Sequence, residues 1–204
     1  MPNSVQQNVP GWTIFALFWI AQTISLNIIH ERLSGAYRRI MVAPISRTTY
    51  IIGKITPFFV INILQAVFLF TIGVFLLPYF GCPKLEVQNI IGLFIVTIGI
   101  SIASICMGLL FSSVSNSLFS AATISVTFLV VMTIIGGIMI PKLIMPGFMQ
   151  KLSLLVPQGW ALDAYQHILV RGQKTAFILK HFFVLTGFGI IFFITSLIFF
   201  RKEV

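Results

Sequence analysis

The sequence predicts an all-α integral membrane protein with about five transmembrane helices, and three observations support this fold class. Of the 204 residues, 58% are apolar and 14% are aromatic, and the mean hydropathy is +1.04. Only 8% are charged, whereas a soluble domain usually carries about a quarter of its residues as charged side chains. The apolar residues are also gathered into long runs separated by connectors. This pattern excludes an ordinary soluble enzyme or binding domain.

The apolar runs are long enough to be transmembrane helices, because a helix needs about 20 mostly apolar residues to cross about 30 Å of hydrocarbon. The predicted spans are 11–30, 55–77, 89–111, 119–140 and 177–200, which make 1–204 a single transmembrane domain. No Lys or Arg precedes the first run. We therefore expect it to remain as a span and not to be removed as a signal peptide.

The basic residues predict the orientation of these spans. Arg32, Arg38, Arg39, Arg47 and Lys54 follow the first span within the connector 31–54. The positive-inside rule places this connector in the cytoplasm and the N-terminus outside. The net charge of +9 fits anionic lipid head groups. We expect no nucleic-acid partner, since the charges form no contiguous basic groove.

Residues 31–47, which read ERLSGAYRRIMVAPISR, combine basic residues with an apolar helical stripe. The spacing predicts one amphipathic helix in the inner interface, with the arginines off the stripe. Pro44 is expected to end this helix and Ser46 to cap the next. The segment is either a positive-inside anchor or a docking surface for a cytoplasmic partner. The stripe consists of Leu33, Ala36, Tyr37, Ile40 and Met41.

The outer connector 141–176 is predicted to contain two short amphipathic helices joined at Pro157. The second helix would run from about residue 159 and end at Arg171 and Gly172. Such a pair would either re-enter the outer leaflet over the exit of a pathway or form an interfacial lid with no substrate role. The apolar side of the second helix consists of Trp160, Ala164, Tyr165, Ile168 and Leu169.

Catalysis within this chain is not expected. A phosphate-binding loop needs the pattern GxxxxGK[ST], and Gly53-Lys54 has Thr48 in place of the first glycine. The acidic residues lie outside the spans, which disfavours coupling to protons through a buried carboxylate. The histidines have no second ligand at metal spacing, and no nucleophile has a recognisable base. We therefore expect a non-enzyme subunit that binds no metal and no cofactor.

Small residues in the third span indicate close packing between helices. Gly99, Ala103 and the pair Ser104-xxx-Gly108 would let neighbouring backbones approach each other, as is common in membranes.

The basic connector also resembles the cytoplasmic signature of type-2 ATP-binding-cassette (ABC) transporter permeases. The matching run is Glu31-Arg32-x-x-Gly35, then Arg38-Arg39, Pro44, Ser46-Arg47 and Gly53-Lys54. In this family the segment is the element that touches the ATPase. The resemblance thus implies a coupling role for Glu31, Arg32, Gly35, Arg38, Arg39, Pro44, Ser46, Arg47 and Lys54.

Two later motifs resemble the outer segments of the same family. Gly136-Gly137 followed by Pro141 and Pro146 is similar to "SG-x-x-x-P … mP", with Gly136 where serine is commoner. The second motif, formed by Pro157, Trp160, Ala164 and Gly172, resembles "P-x-x-W-x-x-x-A … G". The residues that the resemblance places in an outer gate or connector are Gly136, Gly137, Pro141, Pro146, Pro157, Trp160, Ala164 and Gly172.

The resemblance implies a multi-pass subunit of the bacterial cytoplasmic membrane that pairs with a second permease copy, either identical or related. Two ATPase subunits would lie beneath the pair and bind ATP and Mg. By the same comparison, the family's usual first span is missing from this sequence. The leading hypothesis is export of a hydrophobic or amphipathic, drug-like or lipid-like compound.

Two alternatives to this exporter remain. A permease for lipid-linked polysaccharides would need a wider channel lined by aromatic and polar groups, and the chain has only four Tyr and three Trp. The second alternative is a membrane scaffold that does not transport.

Overall fold

The computed structural model describes residues 4–42, 47–85, 87, 89–140, 142–170 and 175–200. Within these ranges the regular elements are helices and there is no strand, which confirms the predicted all-α class. The long helices are α1 (Ser4–Leu33), α3 (Arg47–Thr71), α5 (Ile90–Val114), α6 (Leu118–Ile135) and α9 (Thr175–Phe200). The short ones are α2 (Ala36–Val42), α4 (Leu77–Tyr79), α7 (Gly147–Leu152) and α8 (Pro157–Leu169).

Five helical segments of the described chain are long and apolar enough to cross a membrane, as the sequence predicts. They differ from the predicted spans mainly at their ends. Helix α1 contains Pro10 and continues past Glu31, so the first segment is longer than 11–30 at both ends. The fourth ends at Ile135 instead of 140. The segments are Val5–Leu33, Thr49–Tyr79, Ile90–Val114, Leu118–Ile135 and Ile178–Phe199.

The second segment is a continuous helical rod made from α3, a π-helical turn at Ile72–Leu76, and α4. Pro57 lies inside α3 without ending it. Gly73, in the π-helical turn, packs against α1: a methyl group there would lie 2.9 Å from Cγ1 of Val9. The C-terminal end of the rod therefore lies close to α1. Its N-terminal end also contacts α1, through Glu31.

Helix α5 forms the centre of the bundle and packs most extensively against α9 and α1. Its close approach to α1 depends on Gly108. A methyl group at this position would lie 2.8 Å from the carbonyl oxygen of Ala21 and 2.9 Å from Cβ of Ile24. Gly99 plays the same part toward α9, where the nearest atoms belong to Phe182 and Leu185. The two glycines of the predicted set, Gly99 and Gly108, thus lie at the two main helix contacts of α5.

Candidate functional site

The basic connector folds as a helix, a turn and a second helix. Helix α1 continues to Leu33, and α2 begins at Ala36. Gly35 in the turn has a φ of +73°, a conformation that glycine adopts without strain, and its amide donates to the carbonyl oxygen of Arg32 at 3.2 Å. The prediction of a single amphipathic helix from 31 is therefore wrong, because the turn at Gly35 separates Leu33 from the rest of the stripe.

A charged cluster joins the end of α1 to the start of α3. The hydroxyl of Tyr50 donates to Oε2 of Glu31 at 2.7 Å, and Nζ of Lys54 forms an ion pair with Oε1. The Tyr37 ring of α2 packs edge-on against Tyr50, with ring centroids 5.4 Å apart. The Glu31 cluster, made of these four residues, thus ties α1, α2 and α3 together at one end of the bundle.

The solvent-exposed residues at this end of the bundle include both basic and apolar side chains. Leu33 is 62% exposed and Val42 is 86% exposed, and Arg39 of α2 is exposed between them in sequence. We call Leu33, Arg39 and Val42 the bend surface. Arg39 and Val42 are three residues apart and share one face of α2. Exposed apolar and guanidinium groups are suited to contact with a protein or with lipid head groups.

The structure brings together only part of the predicted coupling set. Glu31 and Lys54 form the ion pair, Gly35 forms the turn, and Arg32 lies in the last turn of α1. Arg39 lies on the exposed side of α2. Arg38 and Arg47 lie in α2 and α3 with side chains outside the described part, and Pro44 and Ser46 lie outside the described residues.

The sequence motif includes Glu31 and Lys54 but not Tyr50, and it does not show the bond between Tyr50 and Glu31. A signal was present: Tyr50 and Lys54 are four residues apart, so they share one face of α3. Glu31 is the acidic residue in the connector 31–54, which makes it the natural partner for a lysine at the start of the next helix.

At the other end of the bundle, α8 is packed among the long helices. It contacts α1, α5, α6 and α9. Its side chains Ala161, Leu162, Ala164, Tyr165 and Ile168 are fully buried. Helix α8 is therefore part of the packed bundle and does not lie on its surface. The helix begins at Pro157, slightly before the predicted 159, since proline fits the first turn of a helix.

Tyr165 connects α8 to two spans. Its hydroxyl lies 2.8 Å from Oγ1 of Thr97 in α5, and its ring packs edge-on against Phe70 of α3, with centroids 5.2 Å apart. The apolar side predicted for α8 included Tyr165, but the hydrogen-bond partner could not be read from the sequence.

The C-terminal end of α6 lies against the N-terminal end of α8, and glycines make this close contact possible. A methyl group at Gly136 would lie 2.9 Å from Cβ of Gln158, and one at Gly159 would collide with the carbonyl oxygen of Ser153. Gly137 has a φ of +87°. The predicted Gly136-Gly137 motif therefore ends α6 against the first turn of α8.

Lys142 holds this junction electrostatically. Its Nζ donates to Oδ2 of Asp163 at 2.7 Å and to the carbonyl oxygen of Gly159 at 3.2 Å. Both side chains of the ion pair are mostly buried, at 21% and 27% exposed. The pair links the segment after α6 to the middle of α8.

We expect Lys142→Met to lower the free energy of unfolding by about 1 kcal/mol. This is below the range of about 1.5–3 kcal/mol for hydrogen bonds to charged groups, because the pair is partly exposed. The measurement is thermal unfolding in detergent. Lys151→Met is the matched control, since Lys151 is exposed on α7. Equal melting temperatures for the two variants would contradict a role for Lys142 in holding α8.

The remaining outer residues of the predicted set have mainly packing roles. Pro146 precedes α7, and Nε1 of Trp160 donates to the carbonyl oxygen of Leu154 at 2.8 Å. Ala164 is buried in α8. Pro141 and Gly172 lie outside the described residues.

One face of α1 is left uncovered along the length of the bundle. Its exposed residues recur three, four or seven apart, so they form a single stripe. The stripe changes from aromatic to polar: Trp12 and Trp19 are followed by Thr23, Asn27 and His30. The side chains of Thr23 and Asn27 make no hydrogen bond within the described part of the chain.

The chemistry of these sites is that of helix coupling and packing. Within the described ranges, no three His, Cys, Asp or Glu groups lie close enough to hold a metal ion. The carboxylates of Glu31 and Asp163 are each engaged by a lysine. The Glu31–Lys54 pair joins α1 to α3, and the Lys142–Asp163 pair joins the segment after α6 to α8.

The fold and these sites define a multi-pass membrane protein whose two ends are tied by ion pairs. Residues 1–198 match the family model described as "ABC-2 family transporter protein". The chain belongs to this family, which confirms the resemblance seen in the sequence.

Relatives agree with this assignment at low identity. The chain is 24% identical over 194 residues to the "Linearmycin resistance permease protein LnrN" of Bacillus subtilis (strain 168), covering 92% of this chain and 47% of that protein. It is 21% identical over 178 residues to the "Probable multidrug ABC transporter permease YbhS" of Escherichia coli (strain K12), covering 84% and 45%. The chain thus spans about half the length of these relatives.

Proposed function

We propose that this chain is the permease subunit of an ABC exporter that moves a hydrophobic or amphipathic compound outward across the bacterial cytoplasmic membrane. A separate subunit would bind ATP and Mg and hydrolyse the ATP. The observation that carries the proposal is the Glu31 cluster beneath the bend surface, since it joins an exposed docking surface to two spans. The names of the relatives, one a linearmycin resistance permease and the other a probable multidrug transporter permease, support this class of substrate.

The Glu31 cluster gives the proposed coupling a physical basis. An ATPase that contacts the bend surface would displace α2, and Tyr37 would pass this displacement to Tyr50 of α3. Glu31 moves with them because it is bonded to both Tyr50 and Lys54. Nucleotide binding would thereby shift α1 and α3 as one unit and favour one arrangement of the pathway over the other.

The uncovered face of α1 is the proposed lining of the pathway, at a seam with a second permease copy. Polar side chains are costly against lipid and usually face protein or a water-filled cavity. Thr23 and Asn27 therefore favour a seam on this face. Helix α6, which packs against α1, likewise exposes Thr123 and Thr127, one turn apart. The segment 142–170 would close the pathway on the outer side.

The proposal is tested by purifying the tagged protein from native membranes and identifying what it retains. We expect a chain carrying a GxxxxGK[ST] phosphate loop, whose ATP hydrolysis increases when the permease is present. Failure to retain any nucleotide-hydrolysing chain under mild detergents would contradict the exporter.

The orientation can be tested by thiol labelling in a Cys82→Ser/Cys106→Ser background. Asn116→Cys and Lys84→Cys both place a thiol at an exposed connector position, at opposite ends of the bundle. With a membrane-impermeant maleimide on intact cells, we expect Lys84→Cys to react and Asn116→Cys to react only after permeabilisation. The reverse pattern would place the Glu31 cluster outside the cell and exclude it as an ATPase contact.

A further inference from the structure

Two grooves of similar size flank α3, and they differ in how their polar groups are satisfied. One lies between α1 and α3 and has a volume of about 410 Å³. The other lies between α3 and the first half of α5, with about 420 Å³. Both volumes fall within the range of small-molecule sites, about 300–1,000 Å³. Size alone therefore does not distinguish them.

The α3–α5 groove is compatible with lipid chains. The hydroxyl of Thr71 donates to the carbonyl oxygen of Val67 at 2.7 Å, and that of Thr97 bonds to Leu93 at 2.8 Å and to Tyr165. Its other lining residues are apolar. An acyl chain in this groove would leave no polar group without a partner.

The α1–α3 groove has unsatisfied polar groups beside aromatic ones. The amide of Gln65 and the hydroxyl of Thr23 line it, and neither side chain makes a hydrogen bond within the described residues. Filling the groove with hydrocarbon would leave an amide and a hydroxyl unpaired, which is costly in a membrane. Phe15 and Trp19 line the same groove with their rings 5.1 Å apart, and Phe58 faces them from α3.

We propose that the α1–α3 groove binds one amphipathic small molecule. Its apolar or aromatic body would lie against Phe15, Trp19 and Phe58, and its hydrogen-bonding group, such as an amide, hydroxyl or sulfonamide, would pair with Gln65 and Thr23. The inference rests on the proposed function and specifies its substrate class. Thr23 and Trp19 also belong to the uncovered face of α1, so the groove opens onto the proposed pathway.

The test measures binding to the full chain in nanodiscs without any ATPase. The probe is N-octyl dansylamide, which has an apolar ring, an alkyl chain and a sulfonamide. A Trp12→Phe/Trp160→Phe background leaves Trp19 as the donor for energy transfer to the dansyl group. We expect a saturable signal that unlabelled N-octyl naphthalenesulfonamide displaces, above the linear signal from probe dissolved in lipid.

Substitutions in each of the two grooves show which groove binds the probe. Thr23→Val/Gln65→Leu should weaken the saturable binding about 10-fold or more, because two hydrogen bonds are lost. Thr71→Val/Phe94→Leu changes the α3–α5 groove and should leave it unchanged. If the first variant does not elute as the wild type does, Gln65→Met alone serves the same comparison. Absence of a saturable signal, or equal binding by both groove variants, would overturn the proposal and leave a lipid chain or another helix as the occupant.

The proposed function can fail separately from this site. Arg39→Ala should leave probe binding unchanged, because Arg39 lies on α2 and the groove is lined by α1 and α3. Saturable binding without any associated ATPase would support the groove as a ligand site and contradict the exporter function. An active complex without saturable binding would contradict only the proposed ligand site.

Discussion

Glu31→Ala is expected to reduce the permease-stimulated ATP hydrolysis of the complex by about 10-fold, within the range of 5–150-fold that coupling free energies typically give. Its carboxylate bonds both Tyr50 and Lys54, so its removal releases α1 from α3 and leaves the Lys54 ammonium group without this partner. The measurement is ATPase activity of the reconstituted complex, with and without the permease variant.

Charge exchange provides the control for this prediction. Glu31→Lys/Lys54→Glu preserves an ion pair between the two helices, although it loses the bond to Tyr50. We expect the double variant to recover part of the stimulation that either single change removes, which a double-mutant cycle quantifies. Additive losses would mean that the two residues act independently and would refute a coupling role for their ion pair.

Gly108→Ala is expected to destabilise the fold by about 3 kcal/mol, the upper end of typical overpacking costs. Its methyl group would press on the backbone of Ala21 and on Ile24, and backbone cannot rotate away as a side chain can. Helices α1 and α5 would have to separate along one of the main contacts of the bundle. Thermal unfolding of the protein in detergent measures the effect.

Gly187→Ala is the matched control, because a methyl group at this position of α9 would meet nothing within 4 Å. Both changes add one methyl group to a glycine in a long apolar helix. We expect Gly187→Ala to be neutral or slightly stabilising, since alanine favours the helix over glycine. Similar melting temperatures for the two variants would show that α1 and α5 are not packed closely at Gly108.

The number of spans could be read from the sequence because each depends on a local property, the length of an apolar run. Their ends were less predictable. Helix α1 continues past Glu31, whose carboxylate is bonded by Tyr50 and paired with Lys54 of α3, 19 and 23 positions away. Helix α6 ends at Ile135, where Gly137 takes a left-handed conformation with a φ of +87°. Hydropathy contains neither the tertiary contact of Glu31 nor the backbone geometry of Gly137.

In the candidate sites too, the sequence predicted local features but not the contacts between helices. The coupling motif identified Glu31 and Lys54 but not their contact, and helical periodicity carried the apolar stripe across Gly35 although that residue ends the helix geometry. Periodicity also gave α8 one apolar side, and Ala161, Ala164, Tyr165 and Ile168 on that side are fully buried. The pattern could not show which helices cover this side, because that depends on tertiary packing.

The most direct test of the account is photo-crosslinking from the bend surface in native membranes. Arg39→p-benzoylphenylalanine places the probe on α2, and Lys84→p-benzoylphenylalanine places it at an exposed position at the other end of the bundle. We predict that the probe at Arg39 forms an adduct with a chain carrying a phosphate-binding loop and that the probe at Lys84 does not. An adduct from Lys84, or none from Arg39, would contradict the assignment of the bend surface as the contact for the ATPase.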